Sequence, residues 1–474
     1  MNKFILGKAE IIFTIFRYFT FALQILRGLL IANFLGPYYF GIFGYVILIQ
    51  QYLMYSNLGI QQLLNAELSI NFKNDYNISV KFIGIAFLLT TVINFILISI
   101  GVLSNFYNFH LFNSNFSINY FILILFLAAL INYQQLFLNI FRVYNKLKIV
   151  VISEIVVVIS TILPLFFFKN DELIFSYIIS WIFSLICVLV FYYLTSPIRI
   201  SMSLNLKESI YFLKNGFPYF LYNLSFVLIG MISRTIIATN FSIKEMGYYS
   251  FANNISTGVM LGFDTITWLI FPKIVSFFSQ IDTLKTDLEN KIVSISKKIN
   301  LFIFTSVMVL IICLPFLFRV FPDYLNSGKS VSILLLTQAV LNSGFAMISL
   351  YVSRKKYIKL VLFSSIALVI CYVSAKCFVY LDYSFEWIAF STLIGSFSFI
   401  NLLNYWGSID FNLSYSKINS AFTHITQSCI FIASICILSS NFWIAILAFS
   451  SFVFFKKDDI ITILYYIKYK KYIS

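Results

Sequence analysis

Basic residues in this chain fall almost entirely in alternate connections between long apolar runs. The runs are close to 20 residues long. At about 1.5 Å of rise per residue, a helix of that length crosses a hydrocarbon core about 30 Å thick. Fourteen are read, at roughly 11–34, 40–64, 80–104, 119–141, 147–168, 172–196, 215–238, 246–271, 299–320, 330–352, 358–380, 385–407, 421–439 and 441–455. With the N-terminus in the cytoplasm, 25 of the 33 Lys and Arg lie in inside segments. Lys169, Lys244, Arg319 and Lys329 lie outside, and Arg17, Arg27, Arg234 and Lys376 lie within the runs. Positive charge is retained on the cytoplasmic side of a membrane. One helix more or fewer would put the later basic connections on the wrong side. The pattern therefore predicts an even number of spans with both termini in the cytoplasm, and an all-α polytopic membrane protein of about 14 transmembrane helices.

Composition excludes several other classes. A chain 60% hydrophobic and 11% charged, with a mean hydropathy of +0.91, is not a soluble domain. The net charge of +15 fits loops beside anionic lipids better than it fits nucleic acid, so no nucleic-acid partner is expected. No cleavable signal peptide is expected, because the first run is too long and carries Arg17 and Arg27. The six cysteines all fall in predicted helices without a Cys-x-x-Cys pair, and His110 and His424 are the only histidines. Metal-ligand spacing is absent, so neither a metal nor a cofactor is expected. There is no Gly-rich phosphate loop, His–carboxylate cluster or nucleophile motif, and the chain is not expected to be an enzyme. The longest connection, roughly 272–298, places Phe277, Ile281, Leu284, Leu288 and Ile292 at helical spacing. It predicts an amphipathic helix lying at the cytoplasmic interface, with a shorter one over 203–214.

A weak internal repeat organises the chain. Leu26-Arg27-Gly28-Leu29-Leu30-Ile31-Ala32, a turn and Gly41-Ile42-Phe43 match Ser233-Arg234-Thr235-Ile236-Ile237-Ala238, a turn and Gly247-Tyr248-Tyr249. The two arginines are 207 residues apart, the length of six helices with their loops. This spacing predicts lobes at 1–200 and 201–407 of like topology, with two additional helices and a basic cytoplasmic tail at 408–474. Lobes with an even number of spans start on the same side, so they would be related about an axis along the membrane normal.

Polar residues line single faces of the spans. At 100° per residue, Arg17, Thr20, Gln24 and Arg27 share an arc of about 80° on the first helix. Gln50, Asn57 and Gln61 do so on the second, Asn132, Gln135, Asn139 and Arg142 on the fourth, and Asn223 with Arg234 on the seventh. Asn253, Thr257 and Asp264 mark the eighth, and Gln338, Asn342 and Ser349 the tenth. A charge at mid-bilayer costs at least about 2.5–3.5 kcal/mol, so these stripes must face protein or water. Hydrogen bonding between helices explains isolated Asn, Ser and Thr. It explains the cations less well. Arg17, Arg27, Arg234 and Lys376 outnumber the intramembrane acids Glu154 and Asp264, and full pairing leaves two cations over. The reading is a water-filled cavity of net positive charge that takes an anion, with Asn and Gln suited to hydroxyl-rich surfaces and Arg to phosphate. Glu154 and Asp264 either pair with cations or bind a coupling proton or Na⁺.

Leu35-Gly36-Pro37-Tyr38-Tyr39-Phe40-Gly41-Ile42-Phe43-Gly44-Tyr45, with Asn57-Leu58-Gly59-Ile60 downstream, resembles the opening of bacterial polysaccharide-repeat flippases. Asn215-Gly216-Phe217-Pro218, Met246-Gly247-Tyr248-Tyr249 and Pro272 look like that family's mid-chain signals. The resemblance, to O-antigen (Wzx-type) flippases of the MATE-like MOP superfamily, implies two six-helix lobes around a central cavity in the bacterial inner membrane. It implies movement of an undecaprenyl-diphosphate-linked oligosaccharide from the cytoplasmic to the periplasmic leaflet by alternating access. Arg27 and Arg234 would grip the diphosphate. Arg17, Gln24, Asn57, Asn223 and Lys376 are expected to line the same substrate path on their position alone. Partners would be that lipid-linked oligosaccharide, membrane lipids and other polysaccharide-assembly proteins. Peptidoglycan-precursor flippases and multidrug antiporters of the same fold are the alternatives, the latter expecting acidic cavity residues. A membrane glycan polymerase would need a long charged outer loop, which 105–118 does not provide.

Overall fold

The computed structural model describes residues 8–71, 76–106, 118–144, 146–198, 200, 205–280 and 285–419. Its helices fall where the apolar runs predict. They are α1 (Lys8–Met54), α2 (Ile60–Asn71), α3 (Tyr76–Phe106), α4 (Ile118–Val143), α5 (Leu147–Ile162), α6 (Asn170–Thr195) and α7 (Leu206–Asn240). There follow α8 (Ile243–Gln280), α9 (Lys285–Val320), α10 (Gly328–Ser343), α11 (Phe345–Ser353), α12 (Tyr357–Tyr380) and α13 (Phe385–Asp410). Among the described residues nine helices are long and apolar enough to cross a membrane, counting α1 once. A tenth is α7, if its parts Leu206–Ser225 and Val227–Asn240, bent by 50°, form one span. The chain is thus an all-α polytopic membrane protein. The runs at 421–439 and 441–455, and His424, lie outside the described residues.

Breaks in the helices follow from local chemistry. Gly36 (φ 64, ψ 171) splits α1, and Pro37 restarts it, so the first two expected spans are the two arms of one kinked helix. The second run was expected to continue to residue 64. Instead it gives way to a 3₁₀ turn over Tyr55–Asn57, with Leu58 (φ 49) and Gly59 (φ 87) left-handed. Asn57 makes this break. Its Oδ1 accepts the Gly59 N–H at 3.1 Å, and its Nδ2 donates to the Met54 carbonyl at 3.2 Å. Where an interfacial helix is expected over 272–298, the described residues belong to the end of α8 and the start of α9, with Ile292 buried and Phe277 and Leu288 half-buried; Ile281 and Leu284 lie outside the described residues. Likewise the helical part of 203–214 is continuous with α7. At the start of α7, Phe212 is buried while Leu206 and Ile210 stay exposed, so an apolar edge of this segment remains uncovered by protein.

By packing, the described chain forms two compact units, Ile5–Ser250 and Phe251 onward. In the first, α1 packs on α4 and α5, α4 and α5 on α6, and α7 on α2, α3 and α1. In the second, α13 packs on α10 and α12, and α9 on α10. The packing boundary lies fifty residues beyond the 200/201 boundary that the repeat predicts, because α7 adheres to the helices before it.

A reciprocal backbone contact ties the two repeat turns together inside the first unit. The Gly41 Cα faces the Ile243 carbonyl, the Gly247 Cα faces the Pro37 carbonyl, and Gly44 meets the Ser250 hydroxyl. The same interval of 206 residues separates 37 from 243, 41 from 247 and 44 from 250. Contacts related by exchange of equivalent positions are the signature of a local two-fold arrangement. A methyl group at Gly247 would overlap the Pro37 carbonyl, whereas one at Gly230 meets nothing within 4 Å. Gly247→Ala should therefore lower the melting temperature of the detergent-purified protein, by the equivalent of about 1–3 kcal/mol for overpacking. Gly230→Ala should leave it unchanged or raise it by the equivalent of about 0.5–1 kcal/mol. Equal behaviour of the two variants in a thermal melt would refute the contact.

Candidate functional site

The polar face of α1 meets α5 along a seam. Arg17 pairs with Glu154, both side chains largely buried, and its guanidinium lies 4.9 Å from the Phe21 ring centroid. The next residue on α5, Ser153, donates to the Val150 carbonyl at 2.7 Å and accepts from the buried Tyr192 hydroxyl of α6. Arg27 lies ten residues along α1, about 15 Å away. Its Nη1 donates to Thr161 Oγ1 at 3.2 Å, and Thr161, two turns beyond Glu154, passes a hydrogen bond to the Val157 carbonyl at 2.8 Å. The seam thus holds two arginines on very different terms. Arg17 has a carboxylate. Arg27 has a hydroxyl, and its Nε is buried without a hydrogen-bond partner.

Arg234 sits on α7 with 3% of its surface exposed. Its Nη1 donates to Gln51 Oε1 at 2.8 Å and its Nη2 to the Gly44 carbonyl at 3.1 Å, both on the second arm of α1. Beside it the Tyr52 and Thr235 hydroxyls hydrogen-bond at 2.7 Å. None of these partners is anionic, and Arg234 Nε is buried without a hydrogen-bond partner. The arithmetic of the sequence leaves two cations over. Among the described residues Arg17 alone of the four has a carboxylate; Arg27 and Arg234 are held by neutral groups with unspent donor capacity, and Lys376 is exposed. The two occupy separate settings, Arg27 against α5 and Arg234 against the second arm of α1.

The other expected site residues divide. Gln24 and Asn223 are half-buried, on α1 and α7. Asn57 is 4% exposed, and both ends of its amide are occupied in the turn it builds, so it shapes the helix break. Lys376 is exposed on α12 on the same face as the exposed Leu362, Ile366, Val369 and Val373, one turn before Tyr380 ends the helix. A lysine so placed extends its ammonium towards the membrane surface, and its apolar neighbours set it apart from a polar cavity. The side chain of Asp264 lies outside the described residues. The stripe on α4 serves mainly to join helices. Gln61 reaches the Asn132 carbonyl at 3.2 Å, Asn132 reaches Asn94 Oδ1 at 3.1 Å, Asn139 reaches the Gln61 carbonyl at 3.2 Å, and Arg142 reaches Asn65 at 2.8 Å.

Four participants escaped the sequence reading: Thr161, Ser153, Tyr192 and Gln51. Thr161 was within reach, since it lies seven residues from Glu154 and so on the same face of α5. Gln51 was displaced in that reading by its neighbour Gln50, which is 3% exposed on a face 100° away. Chemically, the arrangement offers two guanidiniums able to accept an oxyanion and one that is already neutralised. Among the described residues no group of three or more His, Cys, Asp or Glu could hold a metal ion. The Arg17–Glu154 pair should behave as a unit. Arg17→Ala and Glu154→Ala should each destabilise the purified protein more than the double variant does, with a coupling energy of about 1–3 kcal/mol from thermal or denaturant unfolding. Additive losses would show that the two do not share a bond.

The whole chain also resembles solved structures. A lipid II flippase MurJ in an inward closed conformation superposes with a TM-score of 0.72 at 17% identity, covering 95% of this chain and all of that one. A MATE transporter in complex with MaL6 gives 0.63 at 12% identity, over 85% and 96% of the two chains. A MOP superfamily transporter from Pyrococcus furiosus, described by the reverse polarity of its binding pocket, gives 0.59 at 13% identity over the same shares. At these identities the likeness is one of fold. No curated protein matches the chain in sequence. The model of the polysaccharide biosynthesis protein family matches residues 30–322, more than half of the length, and the chain belongs to that family.

Proposed function

From this family membership, we propose that the chain is a flippase for a polyprenyl-diphosphate-linked oligosaccharide, the O-antigen or a similar repeat unit, in the bacterial inner membrane. The observation that carries the reading is the pair of arginines, Arg27 and Arg234, within the membrane-spanning helices and without acidic partners. A diphosphate supplies the two charges they lack, and each planar fork can bind a phosphate through two parallel hydrogen bonds. Gln24 and Asn223 add amides suited to sugar hydroxyls. Arg17, already bound to Glu154, acts at the cytoplasmic end of the path, where exchange of Glu154 for the incoming anion would release it. Alternating exposure of this site to the two sides moves the headgroup while the lipid tail stays in the bilayer. An inside-negative potential favours that direction for an anion, by about 2.3 kcal/mol per charge per 100 mV. The pairing of Glu154 supports a structural or gating role for it over a coupling-ion site.

A peptidoglycan-precursor flippase is the second reading, favoured by the likeness to a lipid II flippase over nearly the full chain. The substrates share the polyprenyl diphosphate and differ in the sugar, so the arginine chemistry serves both. A multidrug antiporter would take cations, against the excess of basic residues.

Deletion of the gene distinguishes the readings. Lost surface polymer, with single repeat units accumulating on the carrier and shielded from periplasmic reagents, is the expected result. Lysis with accumulated peptidoglycan precursor would mean the second reading, and drug sensitivity with unchanged glycan the antiporter. In a complemented strain, Arg27→Ala and Arg234→Ala should each abolish surface glycan at normal membrane protein level. Arg234→Lys, which keeps the charge and loses the fork, should retain the fold and lower the flux at least about tenfold, the loss of one charge-assisted hydrogen bond. Normal glycan in both alanine variants would remove the anion site.

A further inference from the structure

We propose that a groove on the first unit, between α4, the end of α5 and α6, binds a phospholipid with an amine headgroup. The groove has a volume of about 870 Å³. It exists because α5 stops early: the α-helix ends at Ile162, and Pro164 turns the next residues into a 3₁₀ segment, Leu163–Phe166. One face of α6 forms its length, at Glu172, Phe175, Ile179 and Phe183. Glu172 and Phe183 are eleven residues apart, about 16 Å along a helix, or roughly half of a hydrocarbon core about 30 Å thick. The groove therefore spans the depth of one leaflet. It opens at the 169–172 turn, on the side that the Lys and Arg distribution assigns to the periplasm.

Polarity is graded along it. Asp171 and Glu172 stand at the mouth, both exposed, and the walls below are Phe168, Phe175, Ile179 and Phe183. The two hydroxyls in the walls are occupied: Ser176 donates to the Leu173 carbonyl at 3.1 Å and Ser180 to the Ser160 carbonyl at 2.5 Å. Tyr120 spends its hydroxyl on the Asp171 carbonyl at 3.2 Å, which holds the mouth against α4. Below the mouth the walls leave no hydroxyl proton free for a sugar. An acyl chain fits the walls, and the exposed phenylalanines gain by its presence. At the mouth two carboxylates stand beside Lys169, an arrangement complementary to a headgroup with one ammonium and one phosphate. An anionic lipid, including a diphosphate carrier, meets net repulsion there. Acids in the first turn of α6 also favour the helix dipole, but that accounts for the charges alone and not for the groove below them.

The test is lipid retention by the full-length protein in detergent, read by native mass spectrometry with phosphatidylethanolamine and phosphatidylglycerol of equal chain length. Wild type should retain the ethanolamine lipid at least about fivefold more. The double variant Asp171→Asn, Glu172→Gln changes only exposed side chains, and it should bring the two lipids to equal retention. Ser180→Trp should block the groove and lose both. If that variant does not fold, Ile179→Trp, at an exposed position, serves in its place. Equal retention of both lipids by wild type, preference for the anionic lipid, or retention unaffected by the tryptophan would each overturn the proposal.

Discussion

A guanidinium inside a membrane protein is stable only where the protein gives it oxygen atoms, and the first unit is arranged around that requirement. Arg17 receives a carboxylate from α5, Arg27 a hydroxyl from the same helix, and Arg234 an amide and a backbone carbonyl from α1. Each bond crosses between helices that are distant in sequence, so the charges also decide which helices lie together. Arg234 adds a bond from α7 to α1 where α7 already packs on α2 and α3. Taking Arg234 away from Gln51 and Gly44 would leave a desolvated cation with nothing around it, so any movement of α7 must bring water or an anion to that point.

Neutral partners make such a cation available. A carboxylate beside an arginine largely cancels its field, and a further anion gains little there. A hydroxyl or amide satisfies part of the hydrogen-bonding need and leaves the charge. The seam between α1 and α5 contains both arrangements about 15 Å apart, the bound form towards one end and the uncancelled form towards the other. This gradient distinguishes the chain from a bundle in which buried polar groups merely join helices. The α2–α3–α4 network of Gln61, Asn94 and Asn132 is of that simpler kind.

Helix positions were legible because the apolar runs carry their own length standard, and the described helices coincide with twelve of the fourteen runs. The kink at Gly36 was legible for the same reason, as Gly-Pro admits little else. The break at Asn57–Gly59 was not, since Leu58 is an apolar residue within an apolar run, and the left-handed turn depends on how one asparagine side chain is spent. Periodicity gave the interfacial helix at 272–298 an apolar face but did not say whether lipid or protein would cover it. In the candidate site, Arg27 and Arg234 stood out because charge is rare in such helices. Lys376 stood out equally, and only its neighbours on α12 separate it from them. Partners such as Thr161 and Gln51 are common residue types whose roles are fixed by packing.

The crossing of Gly41 and Gly247 has a mechanical consequence. Backbone meets backbone at two of its points, Gly41 against the Ile243 carbonyl and Gly247 against the Pro37 carbonyl, and at the third Gly44 meets the Ser250 side chain. Any side chain larger than hydrogen at 41 or 247 would have to push the two turns apart. Glycine therefore sets the spacing of the turns, and the bonds of Arg234 to Gln51 and to the Gly44 carbonyl hold them at that spacing.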